Sequence, residues 1–234
     1  NIVASFVVNE LDHKGLISLY IAGTILSDEE RTAHSDIDLF GLVSSDFNFQ
    51  SEQEVNAKLE SLRNSLCGGY EARFRGIPLS AFQGGKLEGV VKFMRPERLI
   101  QRFVFFKYFW GKKFNFKKDF SVKPMELKEE ALYLMDALTN SIKSLRSGKE
   151  VFPFQDFPKH VFELVRVEAQ LYHGFKYNPA RIKLAKYLAK EEKHIVHKAL
   201  KLREKVPNRK QVLSFCDEVE CYINELKVRI NEES

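Results

Sequence analysis

A chain of 234 residues, 44% hydrophobic and 29% charged, carries enough apolar material for one large core or two smaller ones. That balance excludes a disordered polymer, and the longest apolar stretch, Phe103 to Trp110, is interrupted by Lys107, so no segment is expected to span a membrane. The net charge of +5 hides an uneven spread: residues 1–85 hold 6 Lys/Arg against 12 Asp/Glu, residues 86–118 hold 10 against 2, and residues 176–210 hold 12 against 3. An acidic half accompanied by basic stretches suits a polyphosphate substrate, although each single lysine is first of all a solvated helix position. Residues 1–8 are apolar but lack a basic leader, and Cys67, Cys216 and Cys221 show no metal-ligand spacing. A reducing, cytoplasmic setting is the expectation, with Cys216 and Cys221 in a helical core.

In chain order, residues 1–13 read as a short helix with Ile2, Val3, Phe6 and Val7 on one side, ended by Gly15. Leu16 to Ala22 and Ile37 to Val43 read as strands. Val55, Leu59, Leu62 and Leu66 recur at helical spacing until Cys67-Gly68-Gly69 stops them. Tyr70 to Arg75 alternates like a strand, with Gly76 as a turn. Residues 77–82 and 88–94 read either as further strands or as an excursion between them, and Pro96 opens a helix predicted to run to Gly111.

The second half is helical throughout. Leu127, Ala131, Leu134, Leu138, Ile142 and Leu145 form one stripe, and Val161, Leu164, Val165, Leu171 and Tyr172 a second, stopped by Gly174. A third helix starts at Pro179, a fourth covers 192–205, and Asn208 reads as the N-cap of a last one. The expected fold class is therefore α+β, a mixed sheet with flanking helices over residues 1–120, followed by an all-α helical bundle over 121–234.

The chemistry concentrates in LYIAGTILSDEERTAHSDIDLFGLV, residues 19–43. Asp36 and Asp38, two apart on a β-prone segment, lie on one face of a strand. Unpaired carboxylates on so apolar a segment are costly, and a divalent cation is the simplest compensation; oxygen-only ligands favour Mg²⁺ or Mn²⁺ over zinc. Gly23 suits a tight turn where backbone N–H groups converge on phosphate. Together these residues point to a metal–nucleotide site.

Gly23-Thr24, eleven intervening residues, then Asp36-Ile37-Asp38 flanked by Ser35 and Leu39, resembles the signature of the DNA polymerase β-like nucleotidyltransferase superfamily. A mixed α/β domain followed by a bundle is similar to its kanamycin-nucleotidyltransferase-like and minimal branches, in which the bundle resembles a HEPN domain. Phe109-Trp110-Gly111-Lys112-Lys113 falls where such proteins often carry an aromatic–Gly–Lys element. The resemblance implies transfer of a nucleoside monophosphate from a nucleoside triphosphate to an acceptor. On that reading Asp36 and Asp38 hold the metals, and Gly23 and Thr24, with the adjoining Ser35, hold the triphosphate. Lys107, Lys112 and Lys113 are candidates for triphosphate or acceptor charge. The acceptor is open among a small hydroxylated molecule, an RNA end and a protein side chain, as is a homodimer or a partner protein.

The resemblance also asks for a third carboxylate on a later neighbouring strand. Glu71 is the first candidate and Glu88 a weaker one. Another placement puts the position in IPLSAF, where Ser80 stands and no acid is present; that would leave a site able to bind a metal–nucleotide but slow at chemistry. Arg166 and His173, seven apart on one helix, fall within the RNase spacing of HEPN domains, while surface charge and a helix-end histidine explain them more simply. His34 and the cluster Asp28, Glu29, Glu30 read as loop residues, and His160, His194 and His197 give no zinc geometry. The aromatic run from Phe103 to Trp110 would either stack bases beside Arg98, Arg102 and Lys107 or pack as an amphipathic helix.

Overall fold

The computed structural model describes residues 2–23, 36–91, 94–120, 126–149, 153–190 and 193–232. The chain divides into two compact units, Asn1–Pro124 and Met125–Ser234.

The first unit opens with α1 (Ile2–Leu11), whose Val3, Ala4, Val7, Val8 and Leu11 are buried at helical spacing. Each fully buried valine or leucine contributes on the order of 1.5–3 kcal/mol, which holds so short a helix in place. Strands β1 (Leu16–Ala22) and β2 (Ile37–Val43) are apolar on both sides, as central strands covered on both faces must be. A helix, α2 (Phe49–Ser61), capped by the Asn48 side chain on the Gln50 N–H, and the single turn α3 (Arg63–Leu66) carry the chain across to β3 (Ala72–Pro78). The sheet order is β3-β2-β1-β4; β2 and β3 run parallel, and β1 is antiparallel to β2 and to β4 (Lys107–Gly111). β3 is an edge strand, and the Asn56 side chain of α2 stands in for a further strand: it donates to the Phe74 carbonyl at 2.9 Å and accepts the Phe74 N–H at 2.7 Å.

One sheet face packs on α1 and α2 through Leu19, Ile21, Ile37, Leu39, Ala72 and Phe74. The other carries Tyr20, Phe40, Leu42 and Ile77 under an aromatic layer that includes Phe82, Phe103, Phe116 and Phe120. Phe103 stacks on Phe116 at 4.4 Å between centroids and meets Tyr20 edge-on at 5.3 Å.

Two expected elements take other forms. The helix opened by Pro96 ends at Phe103 (α4), and residues from Lys107 are strand β4. There the apolar period changes from helical to alternating: Phe106 and Tyr108 pack towards Phe40 and Tyr20. The aromatic run is thus core packing by Phe103, Phe106 and Tyr108, with Val104 and Phe105 exposed at the turn between. β3 continues through Gly76 to Pro78, in register with Gly41 and Val43, and the segments after it form 3-10 turns at Leu79–Gln83 and Gly89–Val91.

The second unit is a bundle of α5 (Leu127–Ser147), α6 (Phe157–Tyr172), α7 (Arg181–Tyr187), α8 (Ile195–Glu204) and α9 (Arg209–Glu232) around one apolar core. Asn208 caps α9 reciprocally: its side chain accepts the Gln211 N–H at 3.0 Å while Gln211 accepts the Asn208 N–H at 2.9 Å. Cys216 is buried, as expected, but Cys221 is exposed, because five residues turn it away from that face.

Candidate functional site

The pairing of β1 with β2 sets Ala22 beside Asp38, so Gly23, the next residue, lies at the mouth of the pair. Gly23 has φ +91°, and a Cβ built there would stand 3.1 Å from Asp38 Oδ2 and 3.3 Å from the Asp36 carbonyl. The glycine backbone therefore approaches the aspartate pair more closely than a side-chain-bearing residue could without a shift of a few tenths of an ångström. Asp36 and Asp38 are both half-buried and share the sheet face of Tyr20 and Phe40. Thr24 and Ser35, with Asp28, Glu29, Glu30 and His34, lie outside the described residues.

The neighbouring strand supplies guanidinium groups to this face. Asp38 pairs in register with Arg73 and Phe40 with Arg75. The Arg75 guanidinium donates to Asp38 Oδ1, each side chain being 23% exposed, and lies 5.3 Å from the Phe40 ring centroid. Arg73 in turn binds Glu71, the residue just before β3, whose carbonyl accepts the Ile37 N–H at 2.8 Å. Glu71 thus stands at the correct end of the sheet, but its carboxylate is engaged by a cation of its own strand. Ser80 is exposed in the 3-10 turn after β3, and Glu88 is exposed beyond it.

The lysine candidates lie elsewhere. Lys107 pairs with Ile21, which puts it on the sheet face opposite Asp38. Lys112 hydrogen-bonds through its backbone to Ile17, so it sits at the other end of β1, about 17 Å along the strand from Ala22 at ~3.3 Å per residue. Its ammonium lies over the Phe114 ring at 5.0 Å, and Lys113 lies over Tyr108 at 5.7 Å.

Two carboxylates of this kind would suit a hard divalent cation, with Asp36 and the Asp38 oxygen that faces Gly23 as the oxygens on offer. Among the described residues no three His, Cys, Asp or Glu side chains are grouped to hold a metal, and the strand beside the aspartates presents arginines.

The second unit has its own polar centre. Glu168 of α6, 1% exposed, accepts from the Tyr222 hydroxyl at 2.5 Å, from Arg229, and lies 3.0 Å from His194 Nε2. Burial pushes its carboxyl upward, but the bonds from His194, Tyr222 and Arg229 outweigh burial and hold it below the ordinary value. His194 also caps α8 through Nδ1 and the Val196 N–H. No spacing in the sequence ties Glu168 to this cluster, since its partners lie 26 to 61 residues from it. Beside it lies a groove of about 880 Å³ lined in part by Lys190, Lys193, Glu218 and Glu225.

Arg166 is buried, contrary to a surface reading. Its guanidinium holds the Asn178 and Pro179 carbonyls at 3.0 and 2.9 Å and pairs with Glu163. It fastens the α6–α7 connection, while His173 caps the C-terminus of α6.

The first unit is a mixed four-stranded sheet with flanking helices, and a helical unit follows it. The chain is similar to the crystal structure of spectinomycin adenyltransferase AAD(9) from Enterococcus faecialis, solved with ATP and spectinomycin. The TM-score is 0.56 over 94% of this chain and 99% of that one, at 11% sequence identity. No family model and no curated protein sequence matches the chain. The likeness is one of fold. Among the described residues no helix is long and apolar enough to cross a membrane.

Proposed function

We propose that the first unit binds a nucleoside triphosphate at the Gly23–Asp36–Asp38 end of its sheet and transfers the nucleoside monophosphate to an acceptor. The supporting observation is the pair of aspartates on one face at the mouth of β2, with the Gly23 backbone set against Asp38 in place of any side chain. A fold shared with an adenyltransferase solved with ATP agrees with it. Asp36 and Asp38 would hold one Mg²⁺ or Mn²⁺, which when bound offsets phosphate charge at the site of transfer. The chain's own contribution would be to bring two carboxylates and the Gly23 backbone to one point. Thr24 and Ser35 are part of this proposal as flanking phosphate ligands. The acceptor is a small hydroxylated molecule, an RNA end or a protein side chain, and a cytoplasmic location fits the supply of triphosphate.

Calorimetric titration with non-hydrolysable ATP, GTP, CTP and UTP, in Mg²⁺ and in EDTA, tests the site. Binding lost in the Asp36→Asn/Asp38→Asn double variant supports it; absence of binding by the wild type overturns it. A second reading is favoured by the Arg75–Asp38 ion pair: a nucleotide-binding regulatory module that transfers little or nothing. Release of pyrophosphate from bound triphosphate separates the two readings.

A further inference from the structure

We infer that Arg75 is the resident cation of this site, standing where a second carboxylate-held divalent ion would otherwise be, so that the protein holds its triphosphate with one divalent ion at most. The inference rests on the nucleotide site proposed above and concerns how that site balances charge.

Four observations converge on Arg75. Strand periodicity points Arg73 and Arg75 to the face of β3 that borders the aspartates, and Glu71, one residue before β3, shares that parity but is bound by Arg73. The stretch between the two arginines is also held from its outer edge, where Asn56 binds both backbone groups of Phe74. The guanidinium is half-buried and set against the Phe40 ring, which holds it by packing as well as by charge. It occupies Asp38 Oδ1, leaving Oδ2 on the Gly23 side as that aspartate's other oxygen.

A second divalent ion on Asp38 must therefore displace the guanidinium or sit against a like charge. Arg73 enforces the same outcome one step along the strand, since it neutralises Glu71, the carboxylate nearest the strand's start. Arg75 keeps one positive group on this face whether or not a metal is bound, against the carboxylates of Asp36 and Asp38. That charge suits the oxygens of a triphosphate, which a planar guanidinium can meet with two N–H groups at once.

Mn²⁺ binding to the full chain, followed by electron paramagnetic resonance without nucleotide, tests the assignment. The wild type is expected to take up no more than one Mn²⁺. Arg75→Gln should bind that ion at least ~10-fold more tightly, and Arg75→Glu should add a second equivalent, while Arg75→Lys stays close to wild type. Two Mn²⁺ on the wild type overturn the inference, and so does an Arg75→Gln protein with unchanged Mn²⁺ affinity. The wild-type count needs no variant, so it stands even if a substitution fails to fold. A non-hydrolysable ATP analogue titrated in EDTA adds a second readout: residual binding should fall at least ~10-fold in Arg75→Gln. If the wild type binds no nucleotide at all, the proposed function fails while the Mn²⁺ titration still decides the place of Arg75.

Discussion

Gly23 and Gly84 share the same backbone angle, φ +91°, but differ in surroundings: a Cβ at Gly84 would meet nothing within 4 Å, whereas one at Gly23 would stand 3.1 Å from Asp38 Oδ2 and 3.3 Å from the Asp36 carbonyl. Substituting alanine at each separates backbone strain from crowding at the site. An L-residue at this angle costs about 1–2 kcal/mol, offset by about 0.4–1 kcal/mol gained from a stiffer unfolded chain, so Gly84→Ala should lose roughly 0–1.5 kcal/mol. Gly23→Ala carries the same strain, and the Cβ must push the aspartate backbone or carboxylate aside by a few tenths of an ångström. That overpacking adds on the order of 1 kcal/mol. Misplaced carboxylates should also weaken triphosphate binding by at least ~10-fold, because site geometry is steep in position. Urea unfolding followed by circular dichroism reads the first quantity, and calorimetric titration of a non-hydrolysable triphosphate the second. If the two variants match in both assays, Gly23 is an ordinary turn residue and the close approach to Asp38 has no consequence.

Glu168→Ala should destabilise the chain by about 3–5 kcal/mol in urea, since it strands the donors on His194, Tyr222 and Arg229; a loss under ~1 kcal/mol would show the cluster to be dispensable. Because the folded Glu168 carboxyl lies below its reference of 4.5, its stabilisation is complete above that pH and fades as pH falls through the lower folded value. Acid unfolding of the wild type should therefore steepen below about pH 4.5, and a variant lacking this carboxylate should lose that component. Burial pushes the Cys216 thiol up to about 12 and also raises Cys67, so native alkylation at pH 8 should label exposed Cys221 first; equal labelling of Cys216 by mass spectrometry would contradict its burial.

The legible parts of the fold are those set by local period. The stripes of α5, α6 and α9, the two central strands and the Asn208 cap all follow from spacing and capping residues in sequence. Phe103 to Trp110 misleads because aromatic residues satisfy helical and alternating patterns at once over so short a run, and only packing on Tyr20 and Phe40 selects the strand. Gly76 misleads similarly: it reads as a turn, yet in a strand held between β2 and Asn56 it is tolerated by tertiary pairing. Arg166 and the Glu168 cluster were beyond reach, since burial of a charged side chain is decided by partners distant in sequence.

At the site, Asp36 and Asp38 are conspicuous because the period of two acts within one strand. The same period acts in β3, and it puts Arg73 and Arg75 on one face as surely as it does the aspartates. Which carboxylate each arginine meets depends on the parallel register, and no alternation pattern encodes register between strands separated by a helical crossover. On its outer edge β3 is held by α2, through Asn56 and the Phe74 backbone, eighteen residues away in sequence. A candidate acid such as Glu71 can therefore stand at the expected end of the expected strand with an arginine of its own strand as its partner. Its carboxylate is held by Arg73, while the position bordering Asp38 carries a cation. Two residues of register separate Glu71 from the place beside Asp38, where Arg73 now stands, and on the proposed reading Arg75 is the residue whose replacement best separates transfer from binding.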